Sequence, residues 1–361
     1  MNGTMDMKNI FYGASSQVNG LAYDWLSHNL YYTDSLYNWI AVLKPGTNHT
    51  RTLIENALDK PHGIAVYPQK GQMYWTDWGE KQKIQQANMD GSNIVTLVAT
   101  GLNKPMGITV DYAKNRLFWT STQVIESYDL VTKTRTQYGR QSQNSFIGVA
   151  IYQNYMFATD QGITLSFRRS QPQLWFFDLN HKDQKGLRLP LTRAPFGITM
   201  YAASRQEEDG NAPCAHSKCA HICVPKTHRW GVTAQCLCRD GYNTTDNGKT
   251  CHATSTSKGA MYIYALEDRI CAVPFRKTMM RKTAANSLTY CFFNHSVKSY
   301  KFRAVDFNYR EGEIYFSEYG TSVRTIRRAR LEKKSVNSVL VYGTGDVRGG
   351  SWGTGLKEVL G

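Results

Sequence analysis

Cysteine is absent from the first 213 residues of this 361-residue chain, so that stretch carries no disulfide framework. Runs of 18 or more apolar residues are absent too, and few segments hold a helical apolar period over 12 positions. Neither a membrane-crossing helix nor long helices are therefore expected. The start, Met1-Asn2-Gly3-Thr4, has no basic stretch leading into an apolar one, so it does not read as a secretory leader. Also missing are a Gly-x-Ser-x-Gly elbow, a His-Glu-x-x-His zinc motif and a glycine-rich phosphate loop. These absences remove the signatures of serine hydrolase, metalloprotease and nucleotide chemistry, and no enzyme is expected.

What is present is a repeat. The segment MYWTDWG (73–79) has counterparts in LYYTD (30–34), LFWTS (117–121), MFATD (156–160) and IYFSE (314–318). Tyr31, Tyr74, Phe118 and Phe157 fall 43, 44 and 39 residues apart. About ten residues ahead of each aromatic pair runs a second element: VNGLAYDW (18–25), KPHGIAVYP (60–68), KPMGITVDY (104–112), FIGVAIYQ (146–153) and APFGITMYA (194–201). A period near 40–45 residues points to stacked or radially arranged units.

Within one repeat, GIAVYP and QMYWTDW read as short strands around the turn Gln69-Lys70-Gly71, and Asp90-Gly91 sits between two alternating runs as a hairpin signal. Four antiparallel strands per repeat make a β-propeller blade, in which radial packing buries both sheet faces. The aromatics Tyr31, Tyr74, Trp75, Phe118, Trp119 and Phe157 are expected between neighbouring blades, with Thr and Asp satisfying backbone donors at the turn. Asp34, Asp77 and Asp160 are thus read as structural rather than catalytic or metal-binding, and Ser121 as a degenerate copy of the same device.

The Tyr-Trp-Thr-Asp tetrapeptide at 74–77, followed by Trp78-Gly79 and preceded by Pro61-x-Gly63-Ile64, resembles the propeller of the low-density lipoprotein receptor family. That resemblance implies a mainly β fold built on a six-bladed propeller. About five blades would be present over 1–205, with the propeller incomplete at its N-terminus. The Gly-His and Trp-Asp signature of the other common propeller class is absent.

Six of the eight cysteines fall in one 38-residue stretch as Cys214, Cys219, Cys223, Cys236, Cys238 and Cys251. So dense a set in so short a segment reads as a disulfide scaffold of extracellular type, with 15 pairings open on arithmetic alone. Zinc is the competing reading, because His216, His221 and His228 lie among these cysteines; the lack of a Cys-x2-Cys pair argues against it. The spacing and Gly241-Tyr242 resemble an epidermal-growth-factor-like module over 210–252, which implies Cys214–Cys223, Cys219–Cys236 and Cys238–Cys251. Modules of this type that bind calcium do so just before the first cysteine. Here that stretch is EEDGNAPC (207–214), with Ala and Pro where ligands would sit, so no cofactor is expected in this chain and calcium only in neighbouring modules of a parent receptor.

Cys271 and Cys291 are expected to form a local disulfide. Asn2, Asn48, Asn243 and Asn294 head glycosylation sequons. The renewed strand pattern over 258–350 reads as the beginning of a second propeller, and 351–361 fits neither pattern.

The formal charge is +15, and from residue 255 onward 18 Lys and Arg stand against 9 Asp and Glu, so +9 of the excess lies there. RRARLEKK (327–334) falls on an expected hairpin, and a disulfide-bonded chain favours acidic protein partners over nucleic acid. The resemblance implies extracellular protein or lipoprotein ligands, with the acidic complement-type repeats of the same receptor as intramolecular partners. It also implies acid-triggered release through propeller histidines. His28 and His62, in matching turn and strand-entry regions of adjacent repeats, are the candidates. The expected whole is a slice of a single-pass endocytic receptor of the giant lipoprotein-receptor-related or megalin type, working at the outer plasma membrane and in endosomes. A Wnt or agrin signalling co-receptor and a nidogen-like basement-membrane protein are the rival readings.

Overall fold

A computed structural model of the chain describes residues 17–342, apart from 48, 140–144, 163, 166–167, 182–185, 208–209, 211, 241, 254–260, 268, 275–289, 295–299, 309–312, 321–323 and 331–335. Asn2, Asn48 and the 351–361 tail lie outside the described residues. Among those described there is no α-helix, and none long and apolar enough to cross a membrane. The chain divides into two compact units, one over 16–255 and one holding the strands beyond 256.

The first unit contains four antiparallel sheets in strict succession. They are β1 (Val18–Asp24), β2 (Asn29–Asp34), β3 (Trp39–Leu43) and β4 (Thr50–Ile54); then β5 (Pro61–Tyr67), β6 (Gln72–Asp77), β7 (Lys83–Asn88) and β8 (Val95–Val98). The third is β9 (Pro105–Asp111), β10 (Arg116–Ser121), β11 (Val124–Asp129) and β12 (Arg135–Tyr138). The fourth is β13 (Phe146–Tyr152), β14 (Tyr155–Asp160), β17 (Gln173–Asp178) and β18 (Leu187–Pro190), with a small hairpin of β15 (Thr164–Leu165) and β16 (Arg168–Arg169) inserted. The first strands pack side by side, β1 on β5, β5 on β9 and β9 on β13. These are propeller blades, each with its first strand innermost.

The Tyr-Trp-Thr-Asp motif explains how blade meets blade. Tyr31 and Trp75 share one buried cluster, Tyr74 and Trp119 the next, and Phe118 joins Phe146 and Trp175 in the third. Each motif thus lends its first aromatic to the following blade and its second to the preceding one, because successive side chains point to opposite sheet faces. Phe157 is half-buried, edge-on to Phe176 at 5.4 Å between ring centroids, since no described fifth sheet covers it.

The threonine does more than serve the turn. Thr76 Oγ1 accepts the Gly63 N–H (2.8 Å) and donates to the Met106 carbonyl of the next blade (2.6 Å). Thr120 joins Gly107 (3.0 Å) to Ile147 (2.9 Å), and Thr159 joins Gly148 to Phe196, both at 2.8 Å. Thr33 donates to the His62 carbonyl in the same way. A Cβ on Gly20, Gly63, Gly107 or Gly148 would lie under 3.0 Å from that next carbonyl, so the glycine is what lets the strands come close enough to latch.

The segment 194–201 departs from expectation. It keeps the Thr159 latch but forms no strand, and Phe196 and Tyr201 are exposed. A first strand is held in a sheet by its own second strand. Here the chain leaves instead through a 3-10 turn at Ala203–Arg205 toward the cysteines.

The cysteine module has β19 (Ile222–His228) paired with β20 (Gly231–Leu237), and β21 (Tyr242–Thr245) with β22 (Thr250–Ala253). Cys214–Cys223, Cys219–Cys236 and Cys238–Cys251 are bonded. In the second unit, β23 (Met261–Ala265), β24 (Arg269–Pro274) and β25 (Tyr290–Asn294) form one sheet. The other is β26 (Tyr300–Asn308), β27 (Glu313–Gly320), β28 (Arg324–Arg330) and β29 (Val336–Tyr342). Cys271 is disulfide-bonded, and its register partner is Cys291. The Ser317 hydroxyl accepts the Ala304 N–H at 2.9 Å, the within-sheet half of the latch with Ser and Ala in place of Thr and Gly. Arg327 meets Glu318 at 2.7 Å and Arg328 meets Glu313 at 3.8 Å, so part of the basic run is spent on its own sheet.

Candidate functional site: the junction of propeller and module

The carboxylates of the repeat cap turns. Asp34 Oδ1 accepts the N–H groups of Leu36 and Tyr37, both at 3.0 Å. Asp77 accepts that of Asp59 (2.9 Å), and Asp160 those of Ser145 (2.8 Å) and Gly162 (2.9 Å). Ser121 accepts the Asn103 N–H at 2.9 Å from the corresponding place, so a hydroxyl replaces the carboxylate without loss of the bond. Burial pushes the Asp34 and Asp77 carboxyls above the ordinary aspartate range.

The expected histidines are not brought together as a site. His28 occupies the β1–β2 turn at φ 57, exposed, with Nδ1 3.1 Å from the Tyr23 phenol. His62 is half-buried in β5 with its ring 6.0 Å from that of Trp78, and desolvation lowers its pKa. Asn243 is exposed on β21. His221, Cys238 and Cys251 form the one group of potential metal ligands found among the described residues. Its two sulfurs are bonded to each other and offer zinc no thiolate.

The most elaborate arrangement of the first unit lies where module and blades meet. Strand β19 inserts Ile222 and Val224, both fully buried, into the core that Tyr31, Val42, Ile54, Trp75 and Met89 build between the first two blades. Hydrogen bonds fix the register: Asn29 Nδ2 donates to the Cys223 carbonyl at 2.6 Å, and the Thr227 hydroxyl to that of Lys70. Lys226 pairs with Asp90 at 2.6 Å. Gly71 has φ +60, and a Cβ there would stand 2.9 Å from the Thr227 nitrogen, so the turn must be glycine for both reasons.

Asn29 is a local specialisation. In the third blade the equivalent position is Arg116, whose guanidinium pairs with Asp111 at 2.8 Å across the same register. In the first blade Asn29 faces Asp24 and turns its amide to the module. Asp24 Oδ2 is left buried without a partner, and burial raises its pKa to about 6. Next to it Trp25 and Leu26 pack with Ala212, and Trp25 Nε1 donates to the Glu207 carbonyl at 3.0 Å. Arg205 stacks on Tyr112 at 4.6 Å and donates to the Val110 carbonyl at 2.9 Å. The connector is thereby tied to blades one and three.

At the outer edge, Asp240 of the module replaces a sheet neighbour for β4. Its N–H donates to the Thr50 carbonyl (2.9 Å), and its carboxylate accepts Thr52 N–H (2.9 Å) and Oγ1 (3.0 Å). Arg51 stands 3.6 Å from it. Beside it the rings of His49 and His221 lie 4.4 Å apart. Apart from His221, weighed only as a zinc ligand, none of these residues stands out in the sequence, because β19 has an ordinary alternating pattern and Asn29 differs from Arg116 only in a comparison between blades.

A propeller built on a Gly–Thr latch, with a three-disulfide module seated in its interblade core, defines an extracellular-type scaffold. Residues 71–112 match the low-density lipoprotein receptor repeat class B family. The match runs from β6 to β9, so one sequence repeat covers three strands of one blade and the first strand of the next. Over 234 residues the chain is 28% identical to the vitellogenin receptor Yl of Drosophila melanogaster, covering 64% of this chain and 11% of that receptor. A chain in a crystal structure of a nidogen/laminin complex is also similar, with 23% identity, a TM-score of 0.49 and coverage of 54% of this chain and 72% of that one. The chain is related to the low-density lipoprotein receptor family through its class B repeat.

Proposed function

We propose that this chain is part of the ectodomain of an endocytic lipoprotein-receptor-related receptor, and that it acts there as a rigid, non-enzymatic scaffold for ligand binding. The observation that carries the reading is the burial of Ile222 and Val224 in the core between the first two blades. A module anchored in that way is held at fixed geometry against the first two blades, which a flexible tether would not do. The relative named as a vitellogenin receptor supports extracellular proteins or lipoproteins as the ligand class. We place the domain limits at 1–205, 210–252 and 258–350, the sugars on the four sequons, and the protein on the cell surface and in endosomes. Ligand release in acid would draw on His62, whose buried neutral ring opposes protonation, and on His28.

The test is uptake. Cells expressing the parent gene are given fluorescent lipoprotein or yolk protein together with an antibody raised against this chain. The reading expects antibody and ligand to enter the same endosomes and the ligand to leave the receptor on acidification. Antibody that stays in the pericellular matrix, with no ligand entry, would contradict it and favour a basement-membrane protein.

A further inference from the structure

The edge of the junction contains a polar device whose protonation states are dictated by its hydrogen bonds. The backbone N–H of Arg239 donates to His221 Nδ1 at 3.1 Å, so that nitrogen must be bare. His49 Nδ1 lies 3.4 Å from the His221 carbonyl, which can only accept, so His49 carries its proton on Nδ1. His221 is therefore neutral in the docked state, and its ring centroid lies 4.4 Å from that of His49.

Their surroundings are mostly cationic. From the first blade come Lys44, in the β3–β4 turn, and Arg51 on β4. From the module come Arg239, Asp240 and the Tyr242 ring, which stands edge-on to His221 at 5.1 Å while the Arg239 guanidinium stacks on it at 4.3 Å. The carboxylate of Asp240 is engaged by Thr52 and Arg51. A proton on His221 Nδ1 removes the acceptor for Arg239, and a second on His49 sets two imidazolium rings against each other.

We infer that His49 and His221 form an acid-sensitive clasp that fastens the cysteine module to the edge of the first blade at neutral pH and lets that edge go in acid. Burial and the neighbouring positive charge hold both histidines below the ordinary imidazole range. The docked state thus binds fewer protons than the open one, and falling pH favours opening. Ile222 and Val224 do not titrate, and Asp24, which faces Asn29 beside them, is relieved of its buried charge as pH falls through about 6. Acid therefore does not loosen the anchor, and the opening is confined to the edge strand β4 and the Arg239–Asp240 corner. This deepens the acid response proposed above and rests on the docked module, without needing any ligand.

The experiment is hydrogen exchange on the full chain at about pH 7.4 and about pH 5.5, corrected for intrinsic rates. The amides read are those of Arg239, Asp240 and Thr52, with Gly107 and Gly148 as references inside the blades. The clasp predicts that protection at the three junction amides falls about tenfold or more on acidification while the reference amides hold, since each pKa unit is worth a factor of ten. In the double variant His49→Asn with His221→Asn, an amide oxygen can still accept from Arg239 but does not titrate, and the fall should vanish. Equal protection at both pH values in the native chain, or the same fall in the double variant, overturns the clasp. Should the variant not fold, the ring titration of His221 by NMR decides: a pKa at or above the ordinary 6.5 contradicts it. None of these readings depends on ligand release, so uptake can fail while the clasp stands.

Discussion

At the scale of single residues, the Tyr-Trp-Thr-Asp motif divides its labour. Two aromatics fill opposite interblade cores, the carboxylate caps a turn, and the threonine hydroxyl bridges its own blade to the next. Thr76→Val keeps the shape but strands the Gly63 N–H and the Met106 carbonyl in a buried place. We expect a loss of about 2–4 kcal/mol in urea unfolding, against little change for Thr132→Val on the exposed β11–β12 turn. Asp24 makes the opposite case. Its folded pKa near 6 exceeds the unfolded value of 3.8, so ionisation is penalised in the fold: the penalty is absent below the unfolded value and complete above about pH 6. Asp24→Asn keeps an oxygen for the Leu26 and Ser27 amides. It should stabilise the chain by about 1–3 kcal/mol at neutral pH and by nothing near pH 4, as read from thermal unfolding at both.

At the scale of elements, the module is held by a strand that behaves as part of the propeller core. Ile222→Ala would open a cavity beside Tyr31 and Trp75 and should cost about 2–4 kcal/mol, more than an exposed substitution on the same hairpin such as Trp230→Ala. The blades were legible in the sequence because the latch keeps a nearly constant interval: Gly63 to Thr76 and Gly107 to Thr120 are separated by 13 residues and Gly148 to Thr159 by 11, each set by one strand, one turn and one strand. The cysteine spacing was legible for a similar reason, since a closed framework leaves few lengths free. What stayed hidden depends on partners distant in sequence. Nothing in ICVPKTH distinguishes a free strand from one seated on another domain, and Asn29 bonds to a carbonyl 194 residues away. The Gly-Ile segment at 194–201 misled because its local pattern matches a strand, whereas a strand also needs a neighbour to pair with.

At the scale of the molecule, the first unit joins apolar anchor, connector and polar edge into one body over residues 16–255. The Ile222–Val224 plug ties the module to the first two blades, and Trp25, Arg205 and Tyr112 tie the connector to the first and third. The proposed scaffolding of a ligand depends on that unity. The measurement that tests it most directly is equilibrium unfolding of the chain with its disulfides intact, followed at once by near-ultraviolet dichroism of the buried tryptophans and by exchange of the Cys223 and Cys236 amides in the module. The account predicts coincident transitions for the propeller and module probes, and an equal shift of both in Ile222→Ala. Two separate transitions, with Ile222→Ala moving only that of the module, would contradict it.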